Sequence, residues 1–172
     1  AILCQWSPKF VAAAAHAGIP IQGHAGLVPI KSTWTGGLRA VGKTLDEALC
    51  VYNEIKALEE AGAYAVEVEV IPEQLLIEIS QRTSLLTSSI GGGRGGDLQF
   101  LFAEDILGNN SPPYPRHSKQ YRNIFKMKQE MQAERVAGFK EFIEDVQTGS
   151  FPEQKHIIQA PEGLIDKFLS EI

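Results

Sequence analysis

An α/β fold built on a parallel sheet is what this sequence predicts, and three observations predict it. "LDEALCVYNEIKALEEAG" (45–62) carries Leu45, Ala48, Leu49, Tyr52, Ile55 and Leu58 at i, i+3, i+4 spacing, the period of an amphipathic helix. "AYAVEVEV" (63–70) alternates along its length and is rich in β-branched residues, the pattern of a strand. Helical and extended patterns then take turns along the chain, the order that gives parallel strands joined by right-handed crossovers.

Taken in order, "SPKFVAAAAHA" (7–17) predicts a helix with Ser7 as cap, Pro8 at the first helical position and Gly18 as its stop. "IPIQGHAG" (19–26) reads as a short buried strand, and a loop rich in Gly, Thr and Trp runs to residue 43. After the helix at 45–62 and the strand at 63–70, "PEQLLIEISQR" (72–82) starts with Pro at a natural helix entry. "TSLLTSSIGGG" (83–93) is a strand ending in glycines, and "GDLQFLFAEDILG" (96–108) reads as mostly helical. "SPPYPR" (111–116) is a rigid loop. A long helix fills 118–147, closed by Gly149 and Pro152, and "PEGLIDKFLSEI" (161–172) is a last short helix.

Composition narrows the function classes. A length of 172 residues fits one domain with a real core, and 44% hydrophobic with 22% charged residues excludes disordered and fibrous chains. The net charge of −5, with Lys and Arg dispersed, argues against a nucleic-acid groove or an anionic membrane surface. No segment approaches the roughly 20 apolar residues that span a bilayer. "FVAAAAHAG" (10–18) is too short and follows no basic-then-apolar leader. Cys4 and Cys50 lack metal-ligand spacing and sit among apolar residues, which predicts buried inert thiols in a reducing, cytoplasmic setting. The chain opens on Ala1, not Met, so a processed chain or a piece of a longer one is expected.

"GGLRAVGKT" (36–44) contains a phosphate-loop signature, Gly37 followed after four residues by Gly42-Lys43-Thr44. Such a loop must leave a buried strand and enter a helix at its Lys-Thr end. The preceding "IKSTWT" lacks the apolar run of a central parallel strand. Thr44-Leu45-Asp46-Glu47 is a capping box, which places Thr44 at the N-cap, outside the first turn. A capped glycine loop that binds no nucleotide is therefore expected.

Several motifs around that loop occur in a familiar order: "GHAGLVP" (23–29), "GG…GKT" (36–44), "ALEEAGAYAVEVEVIPE" (57–73), "IGGG" (90–93), Asp97-x-Gln99, "EDILG" (104–108) and "DVQTGSFPEQKH" (145–156). Together they resemble the ketopantoate hydroxymethyltransferase family, related to the phosphoenolpyruvate mutase and isocitrate lyase group, from near Gly18 to His156. The resemblance implies a (β/α)8 TIM barrel of which this chain covers the C-terminal half, from about the fifth strand onward. It also implies that residues 1–172 are part of a single barrel domain, with the helices at 118–147 and 161–172 at its end. A complete barrel takes about 250 residues.

Alternation puts Ala65, Glu67 and Glu69 on one face of their strand and Val66, Val68 and Val70 on the other. Valines facing outer helices would place both glutamates inside the barrel; a plain alternative is an edge strand with a solvated glutamate face. By resemblance, Glu69 matches the glutamate of an "LECVP"-like motif, the proton-abstracting base. Glu67 departs from that pattern, where an apolar residue is usual. Two enclosed carboxylates roughly 6.5–7 Å apart on one strand disfavour joint ionisation, so one pKa should rise. His24 ends its strand and, alone, reads as structural; the match of "GHAGLVP" to "GHxGLTP" implies a hydrogen bond to a bound 2-oxo acid. His16, His117 and His156 gain no such role, and Arg94 reads as a solvated loop residue. "SSIGGG", Glu104 and "IKS" (30–32) depart from family patterns and leave the exact substrate open.

The implied reaction removes a proton from C3 of 3-methyl-2-oxobutanoate. The enolate then attacks the one-carbon unit of 5,10-methylenetetrahydrofolate, giving 2-dehydropantoate. The implied Mg²⁺ has its carboxylate ligands in the barrel's N-terminal half, so no metal ligand is expected in this chain. The implied partners are the small 2-oxo acid, the N-terminal half or a second chain, and further copies in a homo-oligomer, with no nucleic acid and no membrane. Two other readings stay open: a carbon–carbon lyase or aldolase acting on a 2-oxo acid, and a half-barrel subunit with no catalysis of its own.

Overall fold

The computed structural model describes residues 1–172, which divide into two compact units, 1–123 and 124–172. The first unit runs β1 (Ile2–Leu3), α1 (Pro8–His16), β2 (Ile21–Gly26), α2 (Leu45–Glu60), β3 (Ala65–Glu69), α3 (Glu73–Ser80), β4 (Leu86–Ile90), β5 (Leu98–Gln99) and α4 (Ala103–Leu107). The five strands form one sheet in the order β1-β2-β3-β4-β5, every neighbouring pair parallel. This is the parallel α/β architecture expected from the alternation of elements.

The three strands legible in the sequence are β2, β3 and β4. β1 and β5 are two residues long, too short to show a period. Residues 96–108 are not mostly helical: Leu98 and Gln99 pair with Ser88 and Ser89 before a five-residue helix begins at Ala103. Asp97 holds that pairing. Its carboxylate accepts from Thr87 N at 2.7 Å and Thr87 Oγ1 at 2.8 Å, bonds that keep its pKa below the usual carboxylate range.

Val66 and Val68 are fully buried and share a core with Val11 of α1, Val51, Ile55 and Leu58 of α2, and Leu76 and Ile79 of α3. Each fully buried valine stabilises by about 1.5–3 kcal/mol. A one-residue slip of β3 would swap these valines for glutamates, so the strand's facing is strongly fixed. The buried stripe of α2 is rotated from the predicted one: Val51 joins Ile55 and Leu58, while Leu45 and Leu49 are exposed. Cys50 lies on that open side, so the expectation of two buried thiols holds only for Cys4.

Local chemistry sets the helix starts. Ser7 Oγ accepts from Lys9 N at 3.3 Å with Pro8 in the first turn. Thr44 Oγ1 accepts from Glu47 N at 3.2 Å. We expect Thr44→Ala to lower unfolding stability by about 1 kcal/mol. A urea titration should show a lower midpoint with an unchanged slope; an unmoved midpoint would refute the cap's role.

In the second unit, α5 (Ile124–Thr148) starts six residues later than the pattern predicts, and Gly149, at φ +76°, follows its end. Phe151 then packs edge-on against Phe142 at 5.6 Å and beside His156 at 5.2 Å. His156 Nδ1 accepts from Glu153 N at 3.1 Å, so this histidine caps a short turn. The last helix, α6 (Leu164–Ser170), is shorter than predicted because Gly163, at φ +74°, begins it.

Candidate active site

Parallel pairing aligns side chains across neighbouring strands on one face. Register therefore places His24 beside Glu67 and Glu67 beside Ser88, one row across β2, β3 and β4. All three are buried, at 2%, 6% and 5% exposure. The next row toward the carboxyl ends is Gly26, Glu69 and Ile90. Both glutamates thus lie on the face away from the helices, as the alternation predicts.

His24 Nε2 lies 3.1 Å from Glu69 Oε2 and 3.8 Å from Glu67 Oε1. The shorter distance is a hydrogen bond, with Nε2–H donating to the Glu69 carboxylate. Nδ1 of the same ring is buried without a partner. Burial pushes the Glu67 carboxyl up from its ordinary value; His24 pulls it down and the charge of Glu69 pushes it further up. The expected rise is thus found at Glu67, with burial as the larger cause and carboxylate repulsion the smaller. Two neighbouring carboxyls in unequal surroundings are the arrangement that separates an acid from a base.

Glu69 opens onto a cavity of about 600 Å³ whose lining also includes Leu27, Lys43, Val70, Arg116 and His117; Glu67 and His24 are not in that lining. The backbone around Glu69 is tightly held. Leu27 N donates to Glu69 O at 2.9 Å, Val70 N to Ile90 O at 2.8 Å, and Val41 N to Val70 O at 3.1 Å. Val70 sits at φ +50°, a costly conformation for a β-branched residue, and strain of this kind collects at functional sites. Gly26, at φ +84°, has no room for a side chain: a Cβ there would stand 2.5 Å from Glu69 O.

A raised carboxyl pKa has a definite consequence for stability. Unfolded Glu titrates near about 4.3, and the folded Glu67 carboxyl titrates higher. Its contribution is fully present below the unfolded value and is lost as pH rises through the folded one. We expect Glu67→Gln to be more stable than the parent at pH 7, with the gain shrinking toward pH 4. Urea midpoints across that range test this, and a less stable variant at pH 7 would contradict it.

The glycine loop is closed to phosphate by its own chain. Glu47 Oε2 accepts from Gly42 N and Lys43 N, each at 3.0 Å, and Arg39 Nη2 donates to Glu47 Oε1 at 2.6 Å. These amides are among those a nucleotide phosphate would need. The segment before the loop, Pro29–Thr35, is a 3₁₀ turn instead of a strand. Labelled ATP should show no detectable binding at micromolar protein; tight binding lost in Lys43→Ala would overturn this.

No acidic cluster is legible in the sequence, yet parallel register assembles His24, Glu67 and Glu69 with one ligand atom from each within 4.8 Å of the others. The set does not fit magnesium, which takes oxygen ligands in near-ideal octahedral geometry. One of its three donors is an imidazole nitrogen, already hydrogen-bonded to Glu69. Lys43, Arg116 and His117, which line the cavity, had no predicted part in the site. An arginine beside a histidine directly after a proline-rich loop was the available signal for the latter two.

Buried acid–base groups toward the carboxyl ends of parallel strands, with helices on the opposite face, define an α/β protein with its site where such folds hold ligands. The chain belongs to the ketopantoate hydroxymethyltransferase family, whose model matches residues 4–154. It is 33% identical over 157 residues to the 3-methyl-2-oxobutanoate hydroxymethyltransferase of Clostridium novyi (strain NT), covering 91% of this chain and 54% of that protein. It is 36% identical over 151 residues to that of Lysinibacillus sphaericus (strain C3-41), covering 88% and 52%. For Clostridium kluyveri the figures are 34% over 161 residues, 94% and 55%. The chain spans about half the length of these curated relatives.

Proposed function

We propose that this chain is the C-terminal half of a (β/α)8 barrel that transfers a hydroxymethyl group from 5,10-methylenetetrahydrofolate to 3-methyl-2-oxobutanoate, giving 2-dehydropantoate. Residues 1–172 then form part of a single barrel domain. The observation that carries this is the position of Glu69, the one carboxylate lining the cavity, held at the end of β3. The relatives, which are 3-methyl-2-oxobutanoate hydroxymethyltransferases, support hydroxymethyl transfer to that oxo acid.

Glu69 is the base that takes the C3 proton. His24 orients it through the Nε2 hydrogen bond and bonds the 2-oxo acid. Glu67, whose carboxyl burial pushes up from its ordinary value, is not the base. Magnesium ligands come from outside this chain, and the completed enzyme is a cytoplasmic homo-oligomer.

A carbon–carbon lyase acting on a 2-oxo acid is the second reading, favoured by Glu67, a buried carboxylate where the resemblance implies an apolar residue. Turnover with and without 5,10-methylenetetrahydrofolate separates the two. Formation of 2-dehydropantoate only with the folate supports transfer; cleavage of a 2-oxo acid without it supports the lyase.

A further inference from the structure

Glu67 is a buried carboxylate with nothing to satisfy it. It is 6% exposed and accepts no hydrogen bond, and the one ion-pair contact it makes is 3.8 Å to His24 Nε2. That nitrogen spends its short bond on Glu69, at 3.1 Å. Buried carboxylates are ordinarily paired and hydrogen-bonded, or they coordinate a metal.

The chain gathers a metal-ligand set around this group and holds it on rigid elements. His24 stands on β2 and both glutamates on β3, in paired register inside the sheet. One nitrogen and two carboxylate oxygens lie within 4.8 Å of one another. Tetrahedral zinc binds imidazole nitrogen and carboxylate oxygen at roughly 2.0–2.2 Å, which sets its ligand atoms about 3.3–3.6 Å apart. The separations from His24 Nε2, 3.1 Å to Glu69 and 3.8 Å to Glu67, bracket that edge. Turning either carboxylate shortens the edge between the two glutamates. Three protein ligands leave a fourth position open, unlike a closed structural site. Glu69 lines the cavity, so the open position lies on that side.

We propose that His24 Nε2, Glu67 and Glu69 form a site for a borderline divalent cation, with zinc as its type and the fourth position open to the cavity. The nitrogen donor sets this site apart from a magnesium site, which takes oxygen ligands and keeps several waters. A dication among the carboxylates supplies the charge that Glu67 lacks. Binding moves the ring proton of His24 to Nδ1, which is buried without a partner. A missing outer partner of this kind costs about 10–100-fold in metal affinity, so a micromolar dissociation constant is expected. Binding does not depend on the transferase reading. Within that reading the ion occupies the carboxylate that serves as base, so zinc and proton abstraction are alternative uses of Glu69.

The test is calorimetric titration of the metal-free full chain with zinc chloride and, separately, with magnesium chloride. The chain carries Cys50→Ser, which removes the exposed thiol as a competing ligand. One zinc should bind per chain in the micromolar range, with magnesium weaker by about a hundredfold or more. Glu67→Gln should weaken zinc by about tenfold or more, whereas Glu104→Gln, at an exposed carboxylate, should leave it unchanged. Melting curves of both variants separate a lost ligand from lost folding. Cobalt(II) gives a readout that needs no ligand variant: in place of zinc it should show the intense visible absorption of a four-coordinate ion. A zinc dissociation constant above about 100 μM, zinc affinity unchanged in Glu67→Gln, magnesium bound as tightly as zinc, or a weak six-coordinate cobalt spectrum overturns the proposal.

Discussion

Glu69→Gln should slow exchange of the C3 proton of 3-methyl-2-oxobutanoate with deuterated solvent by about 10²–10⁴-fold in the completed enzyme. Exchange isolates proton abstraction from folate chemistry, so the loss reports the base itself. Glutamine keeps the size of the side chain and can still meet His24 Nε2, now 3.1 Å from Glu69 Oε2. What it lacks is the basic oxygen.

Glu67→Gln is the decisive contrast. That carboxyl is more deeply buried, outside the cavity lining, and biased by its surroundings toward keeping its proton. Its loss should leave exchange within a few-fold of the parent. Abolished exchange in Glu67→Gln with normal exchange in Glu69→Gln would reverse the two assignments.

The legible part of this site was its facing. Alternation along "AVEVE" puts Glu67 and Glu69 together because the valines have a helix layer to bury against. The company they keep was not legible. His24 reaches both carboxylates only because β2 pairs with β3 in a register that matches Gly26 to Glu69, and register is a property of two strands, not one. Lys43 and Arg116, 73 positions apart in the chain, line one cavity because segments that follow different strands, β2 and β5, gather beyond the carboxyl end of one parallel sheet. The N-cap at Thr44 was readable because its bond to Glu47 N is local, although the Glu47 side chain turns to Gly42 N and Lys43 N and does not close the expected capping box. The short strands β1 and β5 were invisible because pairing, not propensity, makes them strands.

Those two strands also set the second large expected effect. The isolated chain should self-associate and show no hydroxymethyl transfer, and should gain activity when the N-terminal half is supplied. β1 and β5 are the edges of an open parallel sheet, and closing a barrel is what removes such edges. Parallel sheets are ordinarily covered on both faces. Here register aligns Leu3, Gln22, Ala65 and Leu86 in the row below His24 and Glu67, with Leu98 beside Ser88. Leu3, Leu86 and Leu98 remain 44%, 44% and 40% exposed on that face. Covering each recovers part of the roughly 1.5–3 kcal/mol available to a fully buried leucine, enough in sum to favour association. Sedimentation of the chain alone, then of the chain mixed with the N-terminal half, measures the first part, and transfer activity of the same samples measures the second. Association should give way to a defined complex that turns over. A well-behaved monomer that catalyses transfer by itself would overturn the half-barrel proposal, and a defined but inactive complex would overturn the claim that Glu69 and His24 complete its active site.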